Sequence, residues 1–302
     1  LMRPRMHIRS WALGVCALFL GGAIPAAADP NRIVSLDYCA DAYVLALAER
    51  DHILALSADA ARPYAWGRDR MAGIAQHDGS AEAILDLKPD LVIHSGLEHL
   101  KSVHMLDRFG IEIIDIGYSQ SLDHGRKALL KVGAALGEDK KARHMLASID
   151  GRLMAAQKQV AAMEKTHKRP SALYLTPSGI TTGRGTYIDE VMALAGIDNQ
   201  LAENGVDGWS SVGLEALAAK PPAMVITSFF QGRSGWNNAW RFSHHPLAKR
   251  IMDRARRVEV PANQWGCGGF FLVEAVETLI AARIRDEGPR LAETAFIKGA
   301  GK

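Results

Sequence analysis

The sequence predicts an α/β protein of two lobes joined by one long helix. Three observations carry that reading: strands that alternate with helices, one unbroken helical stretch in the middle, and an internal repeat. From Arg32 onward, Ile33-Val34-Ser35-Leu36 reads as a short apolar strand, 42–47 as a helix and Ile53-Leu54-Ala55-Leu56 as a second strand. Ile84-Leu85 sits on a helix that stops at Lys88-Pro89, because proline cannot continue it. Leu91-Val92-Ile93 and the stretch 111–116 are further strands. Alternation of this kind favours a largely parallel sheet.

The middle of the chain breaks the rhythm. Gly137 closes one helix, and 138–168 contains neither proline nor a strand signal. Ala142, Met145, Leu146, Ile149, Leu153, Ala156, Val160 and Met163 fall at the three-four spacing of one helical face. Roughly 30 residues at about 1.5 Å each reach about 45 Å, a length suited to a strut between lobes. Pro170 ends it. Strands then recur at 172–175, 224–227 and 257–260, with helices at 187–195 and 271–285 and a frayed tail after Gly288.

The repeat strengthens the two-lobe reading. Glu82-Ala83-Ile84-Leu85, followed by Pro89, Leu91, Val92 and Ile93, returns as Glu215-Ala216-Leu217-Ala218, followed by Pro222, Met224, Val225 and Ile226. Both copies place a glutamate seven residues before a proline that ends a helix and starts a strand. The expected divisions are 1–28, a 29–137 N-terminal lobe, a 138–168 linking helix, a 169–288 C-terminal lobe and a 289–302 tail.

Composition narrows the functional classes. The 302 residues are 48% apolar and 23% charged, which excludes disorder and a disulfide-built miniature scaffold. Arg3, Arg5 and Arg9 account for the formal charge of +3, and the rest carries 33 basic against 33 acidic side chains. No basic stripe marks a nucleic-acid surface. The same arginines, the apolar run 11–24 and Ala26-Ala27-Ala28 read as a secretory signal peptide cleaved before Asp29, with a membrane anchor as the alternative. Export to the periplasm would place Cys39 and Cys267 in an oxidising compartment, either bonded to each other or as two free thiols.

Arg32-Ile-Val-Ser-Leu, the run from Glu82 through Ile93, Gly110-Ile-Glu-Ile-Ile, the run from Gly183 through Ile197 and Leu214-Glu-Ala-Leu together resemble the helical-backbone (class III) periplasmic substrate-binding proteins. These are the receptors of ABC importers for ferric siderophores, haem and cobalamin. The resemblance spans about 31–285. It implies two Rossmann-like lobes with parallel sheets on one rigid helix, a ligand cleft between them, and a non-enzymatic, monomeric protein. It also implies that Glu82 and Glu215, expected on helix starts away from the ligand loops, pair with arginines of a membrane permease dimer. Cys39 and Cys267 depart from the general pattern, and each precedes a helix where cleft loops are expected. A bond between them would tie the lobes together.

Ligand residues are expected at the carboxyl ends of strands. Trp66, Trp209, Trp236, Trp240 and Trp265 fall outside the recognised strands and helices, and Tyr38, Tyr64, Tyr118, Phe229 and Phe230 lie at or beyond strand ends. Aromatics gathered there suit a large, flat, partly apolar ligand. Arg62, Arg68, Arg184 and Arg233 among them would suit an anionic chelate. The expected order is therefore ferric siderophore, then cobalamin, then haem, with no resident cofactor. His94 follows a strand and is a candidate haem ligand, whereas His94, His99 and His104, spaced by five, do not share a helical face for a bare metal ion. No dinucleotide fingerprint, Walker loop or nucleophile elbow occurs; Asp37 and Asp41 as a catalytic pair of an exported enzyme form the remaining alternative.

Overall fold

The computed structural model describes residues 31–96, 99–230 and 241–299. The expected signal peptide lies outside them, as do Arg233, Trp236 and Trp240. The N-terminal lobe is built on strands β1 (Ile33–Ser35), β2 (Ile53–Ser57), β3 (Ala75–His77), β4 (Leu91–His94) and β5 (Glu112–Asp115), ordered β3-β2-β1-β4-β5. All neighbours pair in parallel. Helices α1 (Tyr38–Leu47), α2 (Ala81–Leu87) and α3 (Leu100–Arg108) lie between successive strands, and α4 (Leu122–Ala135) follows β5. In β1, Ile33 packs to one side and Val34 to the other, so both faces of the sheet are buried.

The C-terminal lobe repeats the plan with a smaller sheet. Strands β6 (Ser171–Leu175), β8 (Asp198–Asn199), β10 (Met224–Thr227) and β11 (Arg256–Glu259) run parallel in the order β11-β10-β6-β8. A separate antiparallel pair, β7 (Ile180–Thr182) with β9 (Trp209–Ser211), flanks it. The sequence repeat maps onto α2–β4 in one lobe and α8 (Leu214–Ala219) with β10 in the other. In each lobe that second strand pairs with the lobe's first strand, β1 or β6.

Helix α5 (Asp139–Met163) joins the lobes and spans about 38 Å at ~1.5 Å per residue. It is shorter than the 138–168 expected, because 164–166 form turns rather than helix. Its stripe of Ala142, Ile149, Leu153, Ala156 and Val160 is buried, packed on α4 from one lobe and on α6 (Tyr187–Leu194) and α11 (Leu272–Gly299) from the other. One apolar cluster therefore runs from Ile33 and Val44 through α5 to Val276 and Leu279. Arg152 of α5 grips Glu277 of α11 through two hydrogen bonds of 2.8 and 2.6 Å. Helix α11 continues past Arg285 and Gly288 to Gly299, so the expected frayed tail is helical there. The Gly288-Pro289 pair reads as a stop, but the Leu, Ala, Glu and Lys residues after it are good helix formers.

The segment 264–271, ahead of α11, reaches across the cleft into the N-terminal lobe. Cys267 is bonded to Cys39 at the start of α1, with 5.5 Å between Cα atoms. Tyr38 donates its hydroxyl to the Gly266 carbonyl, and Ser119 donates to that of Gly268. Phe270 meets Tyr43 and Trp66 edge to face at 5.1 and 4.9 Å. Gly125 in α4 has to be glycine here, since a Cβ would lie 2.7 Å from the Gly269 carbonyl carbon. The bond closes a loop across 228 sequence positions. Replacing Cys39 and Cys267 together with serine is expected to lower unfolding free energy by up to about 5 kcal/mol in the chain-entropy account. Urea unfolding followed by circular dichroism measures it; an unchanged midpoint would mean that the noncovalent contacts alone hold the lobes.

Candidate functional site: a neutral aromatic cavity between the lobes

In a parallel sheet the crevice opens where strand order reverses. In the N-terminal lobe that point lies between β1 and β4. Asp37 stands two residues after β1 and is almost fully buried. Its carboxylate caps α1 by accepting from the Cys39 and Ala40 amides at 3.1 and 3.0 Å. It also accepts from the Ser95 amide and hydroxyl beyond β4, both at 2.7 Å. Asp115, ending β5, accepts from the amides of Gly96 and Gly117 at 3.2 and 2.7 Å. Two carboxylates thus fix the adjacent loops after β4 and β5.

Those loops, the start of α1, the start of α6 and the 264–271 segment enclose a cavity of about 490 Å³. Tyr38, Tyr43, Tyr118, Tyr187, Ile116 and the Cys39–Cys267 bond form its walls, with Ser95, Ser119 and His124 as the polar groups. Among the described residues no Arg, Lys, Asp or Glu lines it. Tyr118 is 62% exposed and marks the open rim, whereas Tyr187 is 7% exposed and marks the inner wall. Burial pushes the Tyr187 phenol well above its ordinary pKa, and the phenols of Tyr174, Tyr118 and Tyr38 add to the shift. Around neutrality Tyr187 is therefore an uncharged hydroxyl. The cavity offers flat apolar area and neutral hydrogen-bonding groups.

Residues 33–238 match the family described as periplasmic binding protein. The chain belongs to that family. Its members are solute-binding receptors of ABC importers, located outside the cytoplasm, and not enzymes. The chain is 23% identical over 262 residues to the ABC transporter substrate-binding lipoprotein YvrC of Bacillus subtilis, covering 83% of this chain and 79% of that one. It is 25% identical over 207 residues to a cobalamin-binding protein of Halobacterium salinarum, covering 68% of this chain and 56% of that protein. In fold it resembles a periplasmic heme binding protein from Pseudomonas aeruginosa, with TM-score 0.66 and 24% identity over 84% of this chain and 92% of that one. The vitamin B12 binding protein BtuF of Vibrio cholerae shares the fold at TM-score 0.61 and 22% identity, covering 84% and 96%. Among the described residues no helix is long and apolar enough to cross a membrane.

Within this binding-protein fold the sequence candidates separate into groups. Tyr38, Tyr118, Cys39 and Cys267 line the cavity. Tyr64 meets Tyr38 edge-on at 5.0 Å and Phe229 at 6.4 Å, extending the aromatic wall outward. Trp209 opens strand β9, contrary to the reading of it as a loop residue, and meets Tyr187 at 5.6 Å. Trp66 faces the other way: it stacks on Phe271, donates to the Glu274 carboxylate at 3.1 Å and lies under Arg70. Trp265 is completely buried and donates its Nε1 hydrogen to Ser228 Oγ at 2.8 Å.

Of the expected arginine cluster, Arg233 lies outside the described residues, and Arg62, Arg68 and Arg184 do not line the cavity. Arg68 begins a short exposed turn, Arg62 pairs with Asp59 at 3.3 Å, and Arg184 lies 3.7 Å from Asp207 while donating to the Ala202 carbonyl. His94 is buried on β4 outside the cavity lining, His99 precedes α3, and His104 lies within it. Among the described residues no three His, Cys, Asp or Glu side chains are grouped to hold a bare ion. Glu82 and Glu215 are exposed in the first turns of α2 and α8. Glu82 is not remote from the strand ends, because Ser80, which caps α2, stands three residues after β3. Tyr43, Ser95, Ser119, His124 and Tyr187 line the cavity without having been singled out from sequence. The strand-end rule reaches Ser95 and Ser119; Thr186, the cap of α6, is the local signal for Tyr187.

Beneath the site, Asp41 follows Asp37 by one helical turn and is completely buried. It accepts from the Ser57 amide and hydroxyl at 3.1 and 2.6 Å. Burial raises its pKa from 3.8 to about 7, and the Asp37 charge adds to the rise. The folded chain thus binds this proton more tightly than the unfolded chain, so stability is highest in acid and falls as pH rises from about 4 to about 7. An Asp41→Asn variant keeps an acceptor for the Ser57 amide and presents an NH2 group to the Ser57 hydroxyl, which then accepts rather than donates. Its unfolding free energy is expected to lose this decline, a difference of up to roughly 4 kcal/mol by pH 8. Denaturant titrations across that range measure the slope; an asparagine variant less stable than wild type at pH 8 would reverse the assignment.

Proposed function

We propose that this binding protein captures a corrinoid of the cobalamin class and delivers it to an ABC permease. The neutral lining of the cavity, as formed by the described residues, carries the proposal. An anionic siderophore needs cationic forks to replace its hydration, whereas a corrinoid presents a flat macrocycle fringed with uncharged amides. Tyrosine faces match the first and neutral hydroxyls the second. The cobalamin-binding relative supports this order over the siderophore-first order expected from sequence. The proposed ligand is cargo; no resident cofactor is needed.

Cyanocobalamin is expected to bind with one-to-one stoichiometry in isothermal titration, without chemical conversion. Tyr118→Ala should weaken it by about tenfold, the scale of one lost aromatic contact. Binding of a ferric hydroxamate with no measurable corrinoid affinity would sink the reading.

Docking through Glu82 and Glu215 belongs to the same proposal. Both are exposed, each opens a helix of equivalent place in its lobe, and neither lines the cavity. Two carboxylates on separate lobes suit a two-fold permease surface bearing arginines. Reversing both to lysine should leave ligand affinity within a few-fold and abolish uptake, with each single change intermediate. A parallel loss of affinity would instead place these side chains in ligand binding or folding.

A further inference from the structure

We infer that His124 is an axial ligand to the metal of the bound chelate, contributing its Nδ1 nitrogen. The inference rests on the corrinoid reading above and names the residue that would read the metal. His124 lines the cavity at the third position of α4, where its amide is held by Ser121 Oγ at 3.2 Å. Its Nε2 lies 2.7 Å from the Ile116 carbonyl oxygen. A carbonyl only accepts, so in the neutral ring Nε2 carries the proton and Nδ1 carries the lone pair. A ring anchored by a backbone carbonyl through one nitrogen has the arrangement of metal-binding histidines, whose second nitrogen is oriented and made more basic by the first.

The surroundings make room for this ring. Gly117 has φ +71°, and a Cβ there would lie 3.1 Å from His124 Cε1. The alternative donors in the cavity are poorer. Tyr38 and Tyr43 donate their hydroxyls to the carbonyls of Gly266 and Gly125. Burial holds Tyr187 in its neutral form, so it is a weak ligand for a trivalent metal. Cys39 and Cys267 are bonded to each other and offer no thiolate. With Tyr118 standing out at the exposed rim, imidazole nitrogen is the inner donor suited to a cobalt or iron centre with an exchangeable axial site. The step is a ligand exchange: the metal-bound water leaves as the Nδ1–metal bond forms, with no change in oxidation state.

Two probes separate recognition of the metal from recognition of shape. Aquocobalamin has an exchangeable axial water, whereas cyanocobalamin has both axial positions filled by stronger ligands. The wild-type protein is expected to bind aquocobalamin at least about tenfold more tightly than cyanocobalamin and to shift its visible spectrum to that of an imidazole adduct. His124→Gln keeps an N–H for the Ile116 carbonyl but lacks the lone-pair nitrogen, and His124→Ala removes both. Each variant should abolish the shift and the preference, so that the two probes bind with equal affinity. Wild-type binding of both probes without a spectral shift, or a shift that persists in both variants, would overturn the role of His124 and leave the corrinoid reading standing. Failure of the wild type to bind either probe would overturn both.

Discussion

The structure depends on the chain between Trp265 and Phe271 belonging to both lobes at once. It leaves the C-terminal lobe, crosses the cleft, and is fixed there by a covalent bond, two hydroxyl-to-carbonyl contacts and an aromatic cluster. Glycines make the crossing possible, since Gly269 lies against Gly125 at a distance no side chain would allow. Helix α5 does the same work from behind, sharing one continuous core with both lobes. A hinge would have to break apolar packing on one side and a disulfide on the other. Interdomain motion is the ordinary expectation unless the interface is large and hydrophobic; here one apolar cluster is shared by both lobes.

The two lobes use the same topological feature in opposite ways. In each, strand order reverses between the first strand and its repeat-derived neighbour, β1 with β4 and β6 with β10. In the N-terminal lobe, Asp37 spends its carboxylate on holding the α1 start and the Ser95 loop together, and the cavity opens beside that junction. In the C-terminal lobe, the buried indole of Trp265 bonds to Ser228 just beyond β10. Among the described residues the cavity is lined mostly by the N-terminal lobe, with Tyr187 and the 264–271 segment as its wall on the other side.

Much of the frame is legible in the sequence because it is periodic. The three-four stripe of α5 and the paired helix–proline–strand units announce the two lobes and the strut between them. Strand β3 is not legible: Ala75-Gln76-His77 lies at a sheet edge with two exposed residues, so no apolar pattern is required of it. The site is less legible than the frame. Arginines close to aromatics in sequence suggest an anion pocket, yet Arg62 and Arg184 turn to Asp59 and Asp207 on the surface. Trp66 and Trp265 look like ligand aromatics but satisfy their indole N–H groups within the protein, at Glu274 and Ser228. Which way a loop side chain faces is decided by long-range contacts, and those leave no local pattern.

A cleft bound together in this way changes what ligand binding can do. A ligand shifts a conformational equilibrium only by its difference in affinity for the two states. Where the open state is already costly, little equilibrium remains to be shifted, and little of the ligand's interaction energy is lost to closure. Affinity then reflects the fit of the preformed walls, with local adjustment left to exposed groups such as Tyr118 at the rim. The same rigidity bears on the partner. Two exposed glutamates carried on lobes that cannot separate would present nearly one spacing with or without ligand. A permease reading only that spacing could not tell a loaded receptor from an empty one. Discrimination would have to come from the open rim of the cavity, where the ligand itself is part of the surface.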